Sequence, residues 1–208
     1  MFGTQHLALF VVSGILLNLT PGQDTLYIVG RSVSQGRRAG LLSVLGIASG
    51  SVIHTLAAAF GLSAILATSA QAFTVVKLIG ATYLVYLGAR LLFDRSTAPG
   101  ETREFTPERR WTIYRAALFT NVLNPKVALF FLAFLPQFVA PNSESRILSF
   151  LFLGSVFVFN GTLWCLVLVW GASSMSRRVR ANQSYGQLLK RATGAIFVGL
   201  GVKLAVSR

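Results

Sequence analysis

Carboxylates are nearly absent from this sequence: six Asp and Glu stand against 19 Lys and Arg in 208 residues. Charged residues of both signs make up 12% of the chain, about half of the roughly 25% carried by an average soluble protein. A soluble domain of this length has more surface than so little charge can wet. There is a single cysteine, Cys165, which excludes an internal disulfide and a dithiol redox pair. Nothing resembles a zinc site, and no cofactor is expected. No Lys or Arg precedes Arg31, so a signal peptide with a basic start is not expected and the first apolar segment is retained. In a soluble protein a net charge of +13 would point to nucleic acid. Here the basic residues fall between apolar segments, so they read as topology signals and no nucleic-acid partner is expected.

What the chain has in quantity is apolar sequence, 53% of it, with a mean hydropathy of +0.63. A membrane-spanning helix needs ~20 mostly apolar residues. Residues 1–30 contain one charge, Asp24, and give segment one at about 4–28. Residues 39–76 contain none and are too long for one crossing; Thr68, Ser69 and Gln71 mark the break between segment two (about 40–66) and segment three (about 72–92). Residues 116–143 hold only Lys126 and give segment four, and the uncharged 147–176 gives segment five. Segment six is placed at about 189–206, with Lys203 near its end and, like Lys77 in segment three, able to snorkel to the interface. The expected fold is an all-α, multi-pass membrane protein with about six transmembrane helices.

The basic residues are unevenly shared among the loops. Arg31, Arg37 and Arg38 flank the first loop; Arg90, Arg95, Arg103, Arg109, Arg110 and Arg115 flank the third; Arg177, Arg178, Arg180, Lys190 and Arg191 flank the fifth. Apart from the lysines within the spans, the opposite side has Arg146 and Arg208 alone. The positive-inside rule puts the first group in the cytoplasm and both termini outside. The polar linker at about 93–111, with Pro99, Gly100, Pro107, Glu101, Glu104 and Glu108, divides a single transporter domain, 1–208, into halves of about 1–92 and 112–208. Three helices per half is an odd number, so the second half enters the membrane inverted.

The halves resemble each other. Segment one carries Asn18-Leu19-Thr20-Pro21-Gly22-Gln23-Asp24, and segment four carries Asn121-Val122-Leu123-Asn124-Pro125-Lys126. Each sets a proline, amide neighbours and one charge inside an apolar helix. Segments three and six match through Gly80-Ala81, Tyr83 and Gly88-Ala89-Arg90 against Gly194-Ala195, Phe197 and Gly201-Val202-Lys203, with a one-residue gap. Proline removes a backbone donor and clashes with the preceding turn. In hydrocarbon such a break is tolerated where it packs on protein or lines a cavity. Broken helices one and four in inverted halves are a pattern of secondary transporters. A lone proline would read as a simple kink; two breaks, each with a charge, point to a binding site.

These residues resemble a known family. Asn18-x-x-Pro21-Gly22-x-Asp24 followed by Arg31 and Gly36 is similar to the N-terminal signature of the LysE/RhtB amino-acid exporters. So are Lys77-Leu-Ile-Gly80-Ala81-x-Tyr83-Leu84-x-Tyr86-Leu87-Gly88 in segment three, and Phe119, Asn124-Pro125-Lys126, Phe130-Phe131 and Phe134-x-Pro136-Gln137-Phe138 in segment four. The resemblance covers nearly the whole chain. It implies an inner-membrane exporter of amino acids or close derivatives, coupled to the proton gradient and without enzymatic activity. One departure stands out: where the family has Pro-Gly-Pro, this chain has Gln23 at the second proline, which restores a backbone donor and adds an amide.

The candidate substrate site is Asn18, Pro21, Gly22, Asp24, Asn124, Pro125 and Lys126, with Asp24 and His54 as candidates for carrying the coupled proton. A zwitterionic amino acid presents one carboxylate and one ammonium. The break at Pro125, with Lys126, suits the carboxylate, because half-helix N-termini favour anions; the break at Pro21, with Asp24 and Asn18, suits the ammonium or the proton. The roles are exchangeable at this stage. Asp24 lies ~10 Å along a helix from Arg31, so an interfacial carboxylate paired with a loop arginine is the plainer alternative. Lys126 lies ~16 Å from Arg115, too far to snorkel, and should meet Asp24, an anionic group of the substrate, or carbonyls freed by the breaks. His54 shares a face with Gly46 and Gly50, a small-residue stripe suited to close helix packing; a packed histidine and a proton relay are both open. Asn160 reads as an interhelical amide, Cys165 as an apolar contact, His6 as unspecific, and the run Phe130, Phe131, Phe134 and Phe138 as packing. An intramembrane enzyme and a metal-ion exporter are the rival classes. The first would want clustered His, Asp or Glu, and the second more hard oxygen ligands than one carboxylate supplies. A homo-oligomer is compatible with the pattern.

Overall fold

The computed structural model describes residues 3–68, 70–93, 106–140, 143, 145–181, 191, 194–195, 197–199, 201–202 and 205–206. Most of the linker, the side chain of Lys77, and Lys190, Lys203 and Arg208 lie outside them, as does part of segment six. Among the described residues the regular structure is helical, save for an isolated bridge between Thr4 and Val139.

Helix α1 spans Leu7–Leu19 and stops because Pro21 follows. The hydroxyl of Thr20 and its N–H both donate to Leu16 O, at 2.9 and 3.1 Å. After an extended Gly22, α2 runs Gln23–Leu56. It is not straight. Gly36 takes φ 82° and ψ 177°, a backbone setting that only glycine adopts without strain. Ser32 and Gly40 would lie ~12 Å apart on a continuous helix, yet a methyl placed on Gly40 would overlap the Ser32 hydroxyl. The chain therefore folds back at Gly36. Residues 23–35 complete the first expected segment, and the second begins a turn earlier than the composition suggested. It continues through a π-helical turn, Ala57–Leu62, into α3, Ser63–Thr68.

Helix α4 spans Ala70–Phe93, close to the expected segment three. The expected segment four is α5 (Arg110–Val122), a break, α6 (Pro125–Leu129), a π turn at Phe130–Phe134 and a 3-10 turn at Leu135–Phe138. The axis bends by 45° at the break. Helix α7 runs Arg146–Ala181. Two boundaries differ from expectation: Arg110 and Arg115 belong to α5, and α7 continues past Ser176 through Arg177, Arg178 and Arg180. Long basic side chains can reach headgroups from a helix that overruns the hydrocarbon, so composition dates the edge of the membrane and not the edge of the helix. The described positions of segment six are helical.

Packing follows the small residues. A methyl on Gly46 would run into Tyr114 O and the Ala117 side chain, and one on Gly50 into Asn121; the second limb of α2 therefore seats directly on the backbone of α5. A methyl on Gly88 would meet Gly194 O, and one on Gly201 would meet Ala81 O, so α4 and segment six cross antiparallel at contact distance. The aromatic run is packing: Phe130, Phe131, Phe134 and Phe138 are buried with Phe10, Phe150 and Phe157. Facing outward are Leu9, Val12, Leu45, Phe60, Phe159, Leu163 and Trp170, the belt a helical protein turns toward lipid.

One end of the bundle carries a buried polar knot. Arg31 is 2% exposed and pairs with Glu108 at 2.9 Å. It also donates to Gln35 Oε1 (2.7 Å), Thr106 O (3.0 Å) and Tyr27 Oη (3.3 Å). Tyr27 in turn donates to Ile113 O. The knot ties the turn at Gly36 to the chain entering α5.

The glycine contacts yield a stability test. Gly46→Ala should lower stability by about 1–3 kcal/mol, the usual cost of overpacking. Gly61→Ala, where nothing lies within 4 Å of the added methyl, should not. Thermal unfolding in detergent compares them; equal melting of both variants and the parent would contradict this packing.

Candidate functional site

The site begins with two missing hydrogens. Pro21 lacks the N–H that would bond Leu17 O, and Pro125 lacks the one that would bond Asn121 O. Left bare in hydrocarbon, each carbonyl would cost several kcal/mol. Both are satisfied by side chains from elsewhere. Lys126 Nζ donates to Leu17 O at 2.7 Å and to Thr20 O at 2.8 Å, a cation at the negative end of α1. His54 Nε2 lies 3.2 Å from Asn121 O, which requires the tautomer protonated at Nε2; the N–H of Asn124 donates to the same oxygen at 2.9 Å. Asn124 caps α6, its Oδ1 accepting from the Lys126 N–H at 3.0 Å, with Pro125 at the first helical position.

Between the two breaks lies a cavity of about 50 Å³, walled by Asn18, Gly22, Asp24, Asn124 and Lys126, and also by Ser51, Asn121 and Trp164. The apolar share of the wall includes Leu17, Val44, Ile47, Val127, Phe157 and Val158. Five of the expected residues thus share one space. Pro21 and Pro125 shape the breaks without entering the wall. His54 sits behind Asn121, stacked on Phe131 with ring centroids 5.6 Å apart. Cys165 borders the cavity as a partly buried apolar contact, while Asn160 and His6 lie outside the wall.

Asp24 Oδ2 accepts from Asn121 Nδ2 at 2.8 Å, and Ser51 Oγ reaches Asn121 Oδ1 at 3.3 Å. Asn124 lies beside the same carboxylate without closing a bond to Oδ1, which is buried and has no partner among the described residues. Asn18 Nδ2 and Trp164 Nε1 are in the same condition. Asp24 and Lys126 face the same cavity but form no ion pair, and among the described residues Arg31, the nearest loop arginine in sequence, pairs with Glu108 and not with Asp24. Of the three outcomes open to Lys126, the freed carbonyls are the one observed.

Asn121, Ser51 and Trp164 had not been singled out as site residues. Asn121 had a usable signal, since it stands one turn before Asn124 and four residues before a proline, where its own carbonyl must be orphaned. Ser51 adjoins the glycine stripe. Trp164 had none beyond an indole in an uncharged span.

A helical membrane bundle with two proline breaks around one polar cavity has the architecture of a transporter. The chain belongs to the LysE type translocator family, whose profile matches residues 15–208. It is 29% identical over 206 residues to the membrane protein YrhP of Bacillus subtilis, covering 95% of this chain and 97% of that one. It is 26% identical over 204 residues to the leucine efflux proteins of Salmonella typhimurium (98% and 96% covered) and of an Enterobacter species (98% and 97% covered). No solved structure matches.

Lys126 should prove structural as well as electrostatic. Lys126→Met keeps the length of the side chain but strips two carbonyls of their donor. It should cost about 1.5–3 kcal/mol, the range for a hydrogen bond to a charged group, in a detergent melt. A Met variant as stable as the parent would remove Lys126 from this role.

Proposed function

We propose that the protein exports amino acids with apolar side chains from the cytoplasm, by exchange for protons, through the cavity between the two breaks. The observation that carries the reading is the half-satisfied carboxylate of Asp24, facing a cavity whose wall also has an apolar side. A substrate ammonium would complete the bonding of Oδ1, and Val44, Ile47, Val127 and Phe157 would receive a side chain such as leucine's. The names of the Salmonella and Enterobacter relatives agree. Lys126, with two of its three donors bound to backbone, lends its charge to attract the substrate carboxylate. The cavity has room for about four waters at ~10–15 Å³ each, less than leucine occupies, so its walls must part to load and release.

The two halves would be related by inversion. Matching Gly80-Ala81 with Gly194-Ala195 and Gly88 with Gly201, the contact of Gly88 on Gly194 is mirrored to within one residue by that of Gly201 on Ala81, which supports a two-fold axis in the membrane. The basic loops would lie in the cytoplasm of an inner-membrane protein, with the Arg31–Glu108 knot on that side and both termini outside. A reporter active only in the cytoplasm, fused after Arg208, should stay silent; activity would reverse the orientation.

Coupling needs a group that is charged in one state and neutral in another. Arginine does not deprotonate in proteins, and Asp24 is the acid facing the substrate space. Ionised, it would hold the ammonium; protonated from outside, it would release it, and competition at one carboxylate yields antiport. In cells fed leucyl dipeptides, expression of the protein should speed the efflux of free leucine, and efflux equal to that of empty cells would end the export reading. In proteoliposomes, Asp24→Asn should abolish uphill leucine transport driven by a pH gradient. If it still pumps with the parent's pH dependence, the proton travels elsewhere, and His54 is next to test.

A further inference from the structure

Three polar atoms at the cavity are buried and have no partner among the described residues: Asp24 Oδ1, Asn18 Nδ2 and Trp164 Nε1. The first is an acceptor and the other two are donors. An indole N–H accepts nothing, so it waits for an oxygen. Buried polar groups are nearly always bonded, and an unbonded one in a native protein calls for an explanation. All three belong to residues of one wall, so a single ligand offering one cationic donor and two anionic acceptors would satisfy the set.

The two donors meet at one stretch of α7, Asn18 reaching it from α1 and Trp164 belonging to it. A methyl on Gly161 would lie 3.4 Å from Asn18 Nδ2, so the Asn18 amide rests on α7 at that residue. Trp164 is three residues further along, and residues three apart share a helix face with Cβ atoms ~5–6 Å apart. Cys165, on the same turn, is near enough to Asp24 to interact with it electrostatically. A ligand that holds Asp24 through an ammonium therefore has this face of α7 within reach of its other end. Lys126 is less suited to hold that end by hydrogen bonds, because two of its three donors already serve Leu17 O and Thr20 O.

We infer that Trp164 Nε1 and Asn18 Nδ2 form the carboxylate subsite for the exported amino acid, one donor to each carboxylate oxygen, with Lys126 supplying charge and not direction. The assignment rests on the export reading above and makes Trp164 a binding residue for the α-carboxylate, not for the side chain. Sites that hydrogen-bond a substrate group discriminate sharply against analogues lacking it, because their own polar atoms are then left bare.

L-leucine and L-leucinamide separate the possibilities, since leucinamide keeps the ammonium and side chain and lacks the carboxylate. Counterflow of each is measured in proteoliposomes of the parent protein and of Trp164→Phe. The parent should prefer leucine. In Trp164→Phe the half-saturation concentration for leucine should rise by about 10-fold or more, the loss expected for one hydrogen bond to a charged group, while that for leucinamide should hardly move. Leucine transport unchanged in Trp164→Phe, or equal losses for both compounds, overturns the assignment and leaves export intact. A parent that moves neither compound overturns export and this assignment together. If Trp164→Phe does not fold, benzothienylalanine at position 164 keeps the fused ring and removes only the N–H, and the same selective loss is required of it.

Discussion

Two orphaned carbonyls, Leu17 O and Asn121 O, set most of what is polar inside this bundle. Each lies four residues before a proline and loses its usual helical donor, although Asn121 O keeps one backbone bond, from the Asn124 N–H across the break. The remedy for Leu17 O is an ammonium from α6 on the far side of the cavity. The remedy for Asn121 O is an imidazole from the second limb of α2. Backbone bonding alone therefore draws a lysine and a histidine into apolar surroundings and pins α1 to α6 and α2 to α5. The glycine stripe serves the same end. His54 approaches Asn121 because Gly46 and Gly50 let α2 press against α5 without intervening side chains.

Once the breaks are held, the rest of the site follows from their geometry. Gly22 starts a new helix whose first turn carries Asp24, and Asn124 starts another whose first turn carries Lys126. Opposite charges are thus presented from two helix starts to one small space, near each other yet not paired. A direct ion pair would quench both charges and leave little for a zwitterion to displace. Asp24 bonds instead to the neutral Asn121, and Lys126 to backbone. Both remain ordered and neither is neutralised by the other.

The sequence made the spans, the breaks and the charged residues at them legible, because these depend on local composition and on proline chemistry. The small-residue face of segment two was legible for the same reason. Which partner each group would choose was not. Lys126 could have met Asp24, a ligand or a carbonyl, and only the three-dimensional crossing of α1 and α6 decides. Arg31 finds Glu108 across 77 positions of sequence, and no periodicity predicts that. Hydropathy puts a loop somewhere between about 28 and 40, but the helix runs on to a sharp reversal at Gly36 that composition does not locate; the φ that glycine permits does. Trp164 is the hardest case: an indole in a lipid span is ordinary, and it gains meaning only when its N–H is found buried and unmatched.

The proposed inversion gives the two breaks the same backbone design and unequal side chains. Under it, Leu17 and Asn121 are equivalent, and so are Pro21 and Pro125. Their carbonyls nevertheless receive different donors, a lysine ammonium on one side and a histidine ring on the other. Asn121 also adds a side-chain amide to Asp24, where Leu17 offers only a hydrocarbon wall. A symmetric backbone can be closed from either face of the membrane at similar cost, which alternating access needs. Asymmetric side chains give the enclosed space a positive and a negative pole, so a zwitterion has one favoured orientation. Under the proposed inversion the division of labour is physical: a repeated fold would let the gate work in both directions, and the unrepeated chemistry would let the ligand be read.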